Sequence, residues 1–126
     1  MKVSLNDYKF LKQTLKVNTK TKILSSSMEP YIYKNEIVEV SPVKIEELKV
    51  GDVLVFWRDE KLICHVLMKI DLDEKNSFFT KGINNRSYDP PINKEFILGK
   101  VTKPSLGKVR RLLFIFLINF KNKFKK

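Results

Sequence analysis

The chain has 126 residues, 43% of them apolar and 31% charged, a length and balance that suit one packed domain and leave no room for two independent cores. A single cysteine, Cys64, excludes an intrachain disulfide, and one cysteine with one histidine, His65, argues against a zinc site, so no metal or cofactor is expected. The net charge of +11 sits at the two ends: residues 1–22 carry six lysines against Asp7 and residues 100–126 carry nine basic side chains and no acid, which leaves 23–99 net negative by three. That distribution fits termini attracted to an anionic surface and argues against a nucleic-acid binder, whose basic residues would line the folded region itself.

The whole chain reads as one domain, 1–126, with an amphipathic N-terminal segment (1–21), a core of about 22–101 and a basic-apolar C-terminal segment (102–126). In residues 4–17, Leu5, Tyr8, Leu11 and Leu15 recur at three- and four-residue spacing between Lys9, Lys12 and Lys16, which predicts a short amphipathic helix. Its apolar stripe is read as docking on the rest of the domain, with a membrane or partner as the other reading. No uninterrupted apolar run of the kind a secretory signal needs opens the chain, so it is expected to begin life in the cytosol.

From Lys22 to Val101 the texture changes to short runs rich in Val, Ile and Phe, broken by turn residues. Strands are expected at Lys22–Leu24, Glu36–Val40, Val53–Trp57, Leu62–Ile70, Ser77–Lys81 and Phe96–Val101, with a single helical turn in Lys44–Lys49. Along the Leu62–Ile70 strand side chains alternate faces, which points Cys64 away from His65 and groups it with Leu62, Val66 and Met68 as core. Gly51-Asp52 reads as a tight turn feeding the next strand.

After Gly107, Arg110-Arg111 leads into the apolar run Leu112–Ile118 and a lysine-rich tail. Seven residues of helix span about 10 Å against a hydrocarbon core of about 30 Å, so the run does not cross a bilayer. Two readings stay open for it: a helix lying in the headgroup boundary with its cations on anionic lipid, or a terminal element buried against the core or a partner.

The chemistry-bearing residues are a Ser25-Ser26-Ser27-Met28-Glu29-Pro30 run, the lone His65 and Asp89. A hydroxyl is a poor nucleophile at neutral pH and needs a base to take its proton and a third group to orient that base. Pro30 fixes its own φ and disfavours helix at Glu29, so Ser27 is expected on an extended, rigid segment at a strand end.

Five blocks in order carry a resemblance: Ser27-Met28-Glu29-Pro30, Gly51–Phe56, Ile63-Cys64-His65-Val66, Thr80–Asn85 with Asp89, and Ile97–Val101. Together they resemble the signal peptidase I family over about residues 22–101, and specifically the branch typical of archaea and the endoplasmic reticulum, which uses histidine where the usual bacterial enzymes use lysine. The resemblance implies a mainly β fold, coiled antiparallel sheets forming a signal-peptidase/LexA-like catalytic core, with a short helix at each terminus. It makes Ser27 the acyl-forming nucleophile, His65 the general base and Asp89 the acid that orients the imidazole, with the Ser25 hydroxyl and the Ser27 backbone N–H as oxyanion donors. An unperturbed imidazole titrates near about 6.5 and is mostly neutral at pH 7, so it accepts a proton without the desolvation a lysine base requires. One oxyanion donor is worth about 3 kcal/mol of barrier.

The chain departs from the family pattern at four places, the first being Ser26, where relatives usually carry glycine. Ile83 stands where the family has an aspartate after the glycine, Val66 where relatives commonly have arginine, and 26 mostly polar residues precede Ser27 where relatives have a transmembrane anchor. The implied function is a serine endopeptidase that removes an N-terminal signal or leader peptide from a peptide or preprotein substrate, cytoplasmic or held peripherally on anionic membrane through 106–126. The competing reading is a catalytically inactive peptide- or lipid-binding member of the same fold. A further rival, a self-cleaving repressor with the same core, would use a lysine base and carry a DNA-binding domain; neither is evident, and the roughly 20 residues before the nucleophile strand are too few for a helix-turn-helix domain.

Overall fold

The computed structural model describes residues 2–15, 19–22, 28, 32, 35–72, 77–83 and 85–103. Ser4 caps the first helix, α1 (Leu5–Thr14), by accepting a hydrogen bond from the Asp7 N–H at 3.1 Å, the N-cap chemistry a serine before an apolar-periodic run supplies. Most of the stripe docks as expected: Tyr8 and Leu15 are buried and Leu11 packs on the same cluster, while Leu5, at the start of the helix, and Phe10 are exposed. Tyr8 does most of the anchoring. Its ring lies 6.0 Å from Trp57 and 6.3 Å from Phe96, and its hydroxyl donates to the Glu95 carbonyl at 2.9 Å. The chain just before the helix is tied as well, with Trp57 Nε1 donating to the Val3 carbonyl at 2.7 Å and the Val3 N–H to the Glu60 carbonyl at 2.7 Å.

The rest is one antiparallel sheet of β1 (Thr19–Lys22), β2 (Ile37–Ser41), β3 (Val53–Arg58), β4 (Lys61–Asp71), β5 (Ser77–Lys81), β6 (Ile92–Asn93) and β7 (Ile97–Lys103). Its spatial order is β1-β2-β7-β3-β4-β5-β6, so it is open, with β1 and β6 at the edges. The expected mainly β class and N-terminal helix are therefore present, whereas the C-terminal helix expected in 102–126 falls almost wholly on residues 104–126, outside those described. The strand expected at Lys22–Leu24 begins earlier, at Thr19; Ile23 and Leu24 lie outside the described residues. Thr19 and Thr21 pair with Val40 and Val38, and Lys20 with Glu39, so the partner strand recruits a segment that has no apolar alternation of its own. The helical turn expected in Lys44–Lys49 is a short 3-10 turn, Ile45–Glu47.

Both faces of the sheet are covered. One carries Val38, Val40, Val53, Val55, Cys64, Val66, Met68 and Leu98 under α1, together with Met28, Ile32 and Ile83. The other carries Leu54, Phe56, Leu67, Phe78 and Ile97 against Leu48 and Ile92. Adjacent strand residues fall in opposite clusters, which explains why β3 reads as a continuous apolar run rather than an alternating one.

Two glycines have a steric reason. Gly51 sits at φ 100° in the turn before β3, where the Asp52 carboxylate accepts from the Lys49 N–H at 2.8 Å, and both Gly51 and Asp52 bond the Leu67 backbone. At Gly99 a Cβ would lie 2.3 Å from the Ser41 carbonyl oxygen, so β2 approaches β7 only because that side chain is absent. The β3–β4 connection is a two-residue hairpin whose Asp59 and Glu60 both adopt positive φ, 51° and 62°. Among the described residues no helix is long and apolar enough to cross a membrane.

Candidate active site

The centre of β4 places His65. Its register partner is Leu54 on β3, and alternation turns its ring to the Leu54–Phe56 face, where the Phe56 ring meets it edge-on at 6.1 Å and 70°. His65 is buried. On the other neighbour of β4, Leu67 pairs with Thr80, so Thr80 stands on the same sheet face, diagonal to His65 and fully buried.

After β5 the chain leaves the sheet and returns at Asp89, whose N–H donates to the Thr80 carbonyl at 2.8 Å. That backbone bond delivers the carboxylate to the imidazole: Asp89 Oδ2 lies 2.5 Å from His65 Nδ1 and also accepts from the Thr80 hydroxyl at 2.6 Å. An ionised carboxylate only accepts, so the hydrogen at this contact belongs to Nδ1, and a neutral ring then carries its lone pair on Nε2. Burial by itself would push the Asp89 carboxyl up, but the hydrogen bonds from His65 and Thr80 and the positive charge of His65 and Arg58 outweigh it and hold it below the ordinary aspartate range. The group is thus kept ionised and available to accept from the imidazole at neutral pH.

Arg58 closes the arrangement from β3. Its Nη2 donates to the Pro90 carbonyl at 2.7 Å and the Pro91 carbonyl at 2.9 Å, and its guanidinium lies 5.5 Å from the centre of the Phe56 ring. Neither proline has an N–H with which to tie the segment down, so these carbonyls are the backbone handles it offers.

His65 and Asp89, 24 residues apart in sequence, are therefore brought into contact. Ser25 and Ser27 lie outside the described residues. From the Ser25–Pro30 run only Met28 is described, and it is buried in the cluster that also holds Val66 and Ile83. Val66 and Ile83 thus both belong to apolar packing, Val66 by alternation on the face opposite His65. Cys64 also lies in that cluster, and burial pushes its thiol up to about 12. The sequence assigns no role in the site to Thr80, Phe56 or Arg58, although Phe56 and Thr80 bound two of the matching blocks. Alternation along Ser77–Lys81 gives Thr80 a face but no partner, and nothing local links Arg58 to prolines more than thirty residues on.

The chain is 28% identical over 95 residues to the signal peptidase complex catalytic subunit SEC11C of Homo sapiens, Mus musculus and Canis lupus familiaris. The matched region covers 72% of this chain and 50% of each relative, so the chain spans about half the length of the curated relatives it matches. No family model matches. The chain is thus distantly similar to the catalytic subunit of a signal peptidase, and its fold is an open antiparallel sheet with one N-terminal helix among the described residues.

Proposed function

We propose that the chain is a serine endopeptidase that removes an N-terminal signal or leader peptide from a peptide or preprotein substrate. One observation carries this reading: the only histidine of the chain is hydrogen-bonded through Nδ1 to a partly buried, ionised aspartate, the relation a general base needs to hold its ring and tautomer. The similarity to a signal peptidase catalytic subunit supports the substrate class.

In the proposed reaction the Ser27 hydroxyl attacks the carbonyl carbon of the scissile bond while Nε2 of His65 takes the hydroxyl proton. Asp89 holds Nδ1–H and stabilises the imidazolium. The tetrahedral oxyanion is met by the Ser27 N–H and the Ser25 hydroxyl. Collapse breaks the C–N bond as His65 gives its proton to the leaving amine, leaving an acyl-Ser27 ester. Water, giving a proton to the same imidazole, then attacks the ester carbonyl, and the C–Oγ bond breaks as the imidazolium returns that proton to Ser27 Oγ, which frees the new C-terminal carboxyl group and restores the hydroxyl. Basic residues flanking Leu112–Ile118 support peripheral contact of 106–126 with anionic membrane, which liposome co-sedimentation of the full chain against one ending at Gly107 tests; equal binding rejects it.

The deciding experiment is cleavage of a leader-bearing precursor peptide. Ser27→Ala and His65→Ala each abolish it with the fold intact, and undiminished cleavage by either variant overturns the mechanism. A wild-type chain that binds such peptides without cutting them favours the inactive binding module instead.

A further inference from the structure

The carboxylate that faces His65 is itself held by another side chain. Oδ2 of Asp89 receives two hydrogen bonds, from His65 Nδ1 at 2.5 Å and from Thr80 Oγ1 at 2.6 Å, and the Asp89 N–H donates to the Thr80 carbonyl at 2.8 Å. One residue therefore grips the aspartate at both its backbone and its acid. Thr80 is fully buried, so water does not compete for its hydroxyl. Against an ionised carboxylate that hydroxyl can only donate.

We propose that Thr80 is a positioning residue of the site: its hydroxyl fixes the Asp89 carboxylate in the orientation that accepts from His65 Nδ1 and so selects the imidazole tautomer. The inference rests on the reading of His65 as general base, which gives that tautomer its value.

The need for such a group follows from the surroundings of Asp89. It stands on a segment outside the sheet and is followed by Pro90-Pro91, which offer no N–H for further strand pairing. A carboxylate in that setting can turn about its Cβ–Cγ bond, and a single bond from the imidazole leaves it two oxygens to choose between. The second donor on the same oxygen removes the choice. Loss of the hydroxyl also deprives a partly buried carboxylate of one of the bonds that keep it ionised.

With a single histidine, the imidazole nitrogen signals of the isotopically labelled full chain are assigned without ambiguity. In wild type they report the Nδ1–H tautomer. In Thr80→Val, which keeps the shape and removes the hydroxyl, the Asp89 carboxyl titration moves upward and the imidazole becomes a mixture of tautomers. In Thr80→Ser both return to the wild-type pattern. Unchanged signals in Thr80→Val, with the amide spectrum of a folded chain, overturn the proposal; so does a Thr80→Ser variant that behaves like Thr80→Val. Should the valine variant fail to fold, the wild-type Thr80 hydroxyl proton decides: protection from solvent exchange that is lost as Asp89 is protonated supports the bond, and exchange as fast as an exposed hydroxyl refutes it. None of these signals depends on turnover, whereas the catalytic reading stands or falls on Ser27→Ala and His65→Ala.

Discussion

Cys64 and His65 are neighbours in the chain and stand on opposite faces of the sheet, the thiol packed in the cluster of Val66 and Met68 and the imidazole turned to Phe56 and Asp89. A thiol and an imidazole adjacent in sequence would invite a cysteine-protease mechanism, and strand alternation excludes it here. Burial holds the thiol at about 12, so at neutral pH almost none of it is thiolate.

It follows that Cys64→Ala leaves the proposed peptide cleavage unchanged and acts on stability alone, by roughly 1 kcal/mol for the small cavity it opens. The native thiol reacts with a disulfide reagent at pH 8 only as fast as the chain unfolds. Rapid labelling of the native chain, or loss of cleavage in a folded Cys64→Ala variant, would contradict the placement.

Asp89 binds its proton less tightly in the folded chain than in the unfolded one, because the donors and charges around it outweigh its burial. The ionised carboxylate therefore stabilises the fold in full above the unfolded carboxylate range near about 4, and that contribution disappears as the pH falls through the lower, folded value. Comparing urea unfolding of wild type with Asp89→Asn isolates it. The stability difference shrinks below about pH 4 as the wild-type carboxylate is protonated. A difference that remains level down to the acid limit of folding contradicts the assignment.

What could be read from the sequence was what neighbouring residues decide together. The period-two pattern of Leu62, Cys64, Val66 and Met68 located β4 and the face of Cys64, and the three-and-four spacing of Leu5, Tyr8, Leu11 and Leu15 located α1. Thr19–Lys22 and Ile92–Asn93 were not legible as strands, since a polar tetrapeptide and a dipeptide after two prolines become strands only when β2 and β5 supply their hydrogen bonds. The same limit applies at the site. The resemblance named His65 and Asp89, but the return of the chain to the Thr80 carbonyl and the reach of Arg58 to Pro90 and Pro91 are consequences of register and loop path.

Ile83 provides the sharpest test of how this chain differs from the pattern it resembles. The position where the family carries an aspartate is here 2% exposed in the cluster that holds Val66, where relatives commonly carry arginine, and Met28. A carboxylate placed there has to be desolvated among apolar side chains, so Ile83→Asp costs roughly 3 kcal/mol at neutral pH, whereas Ile83→Val costs about 1 kcal/mol. The sign of the pH dependence separates a buried charge from a mere loss of volume. Burial raises the folded pKa of the introduced acid above its unfolded value, so the folded state gains a proton first and part of the lost stability returns as the pH falls from about 8 to about 5. Urea unfolding of the two variants at both pH values measures this directly. An Ile83→Asp chain within about 0.5 kcal/mol of wild type at pH 8 would mean that the position accommodates a carboxylate after all.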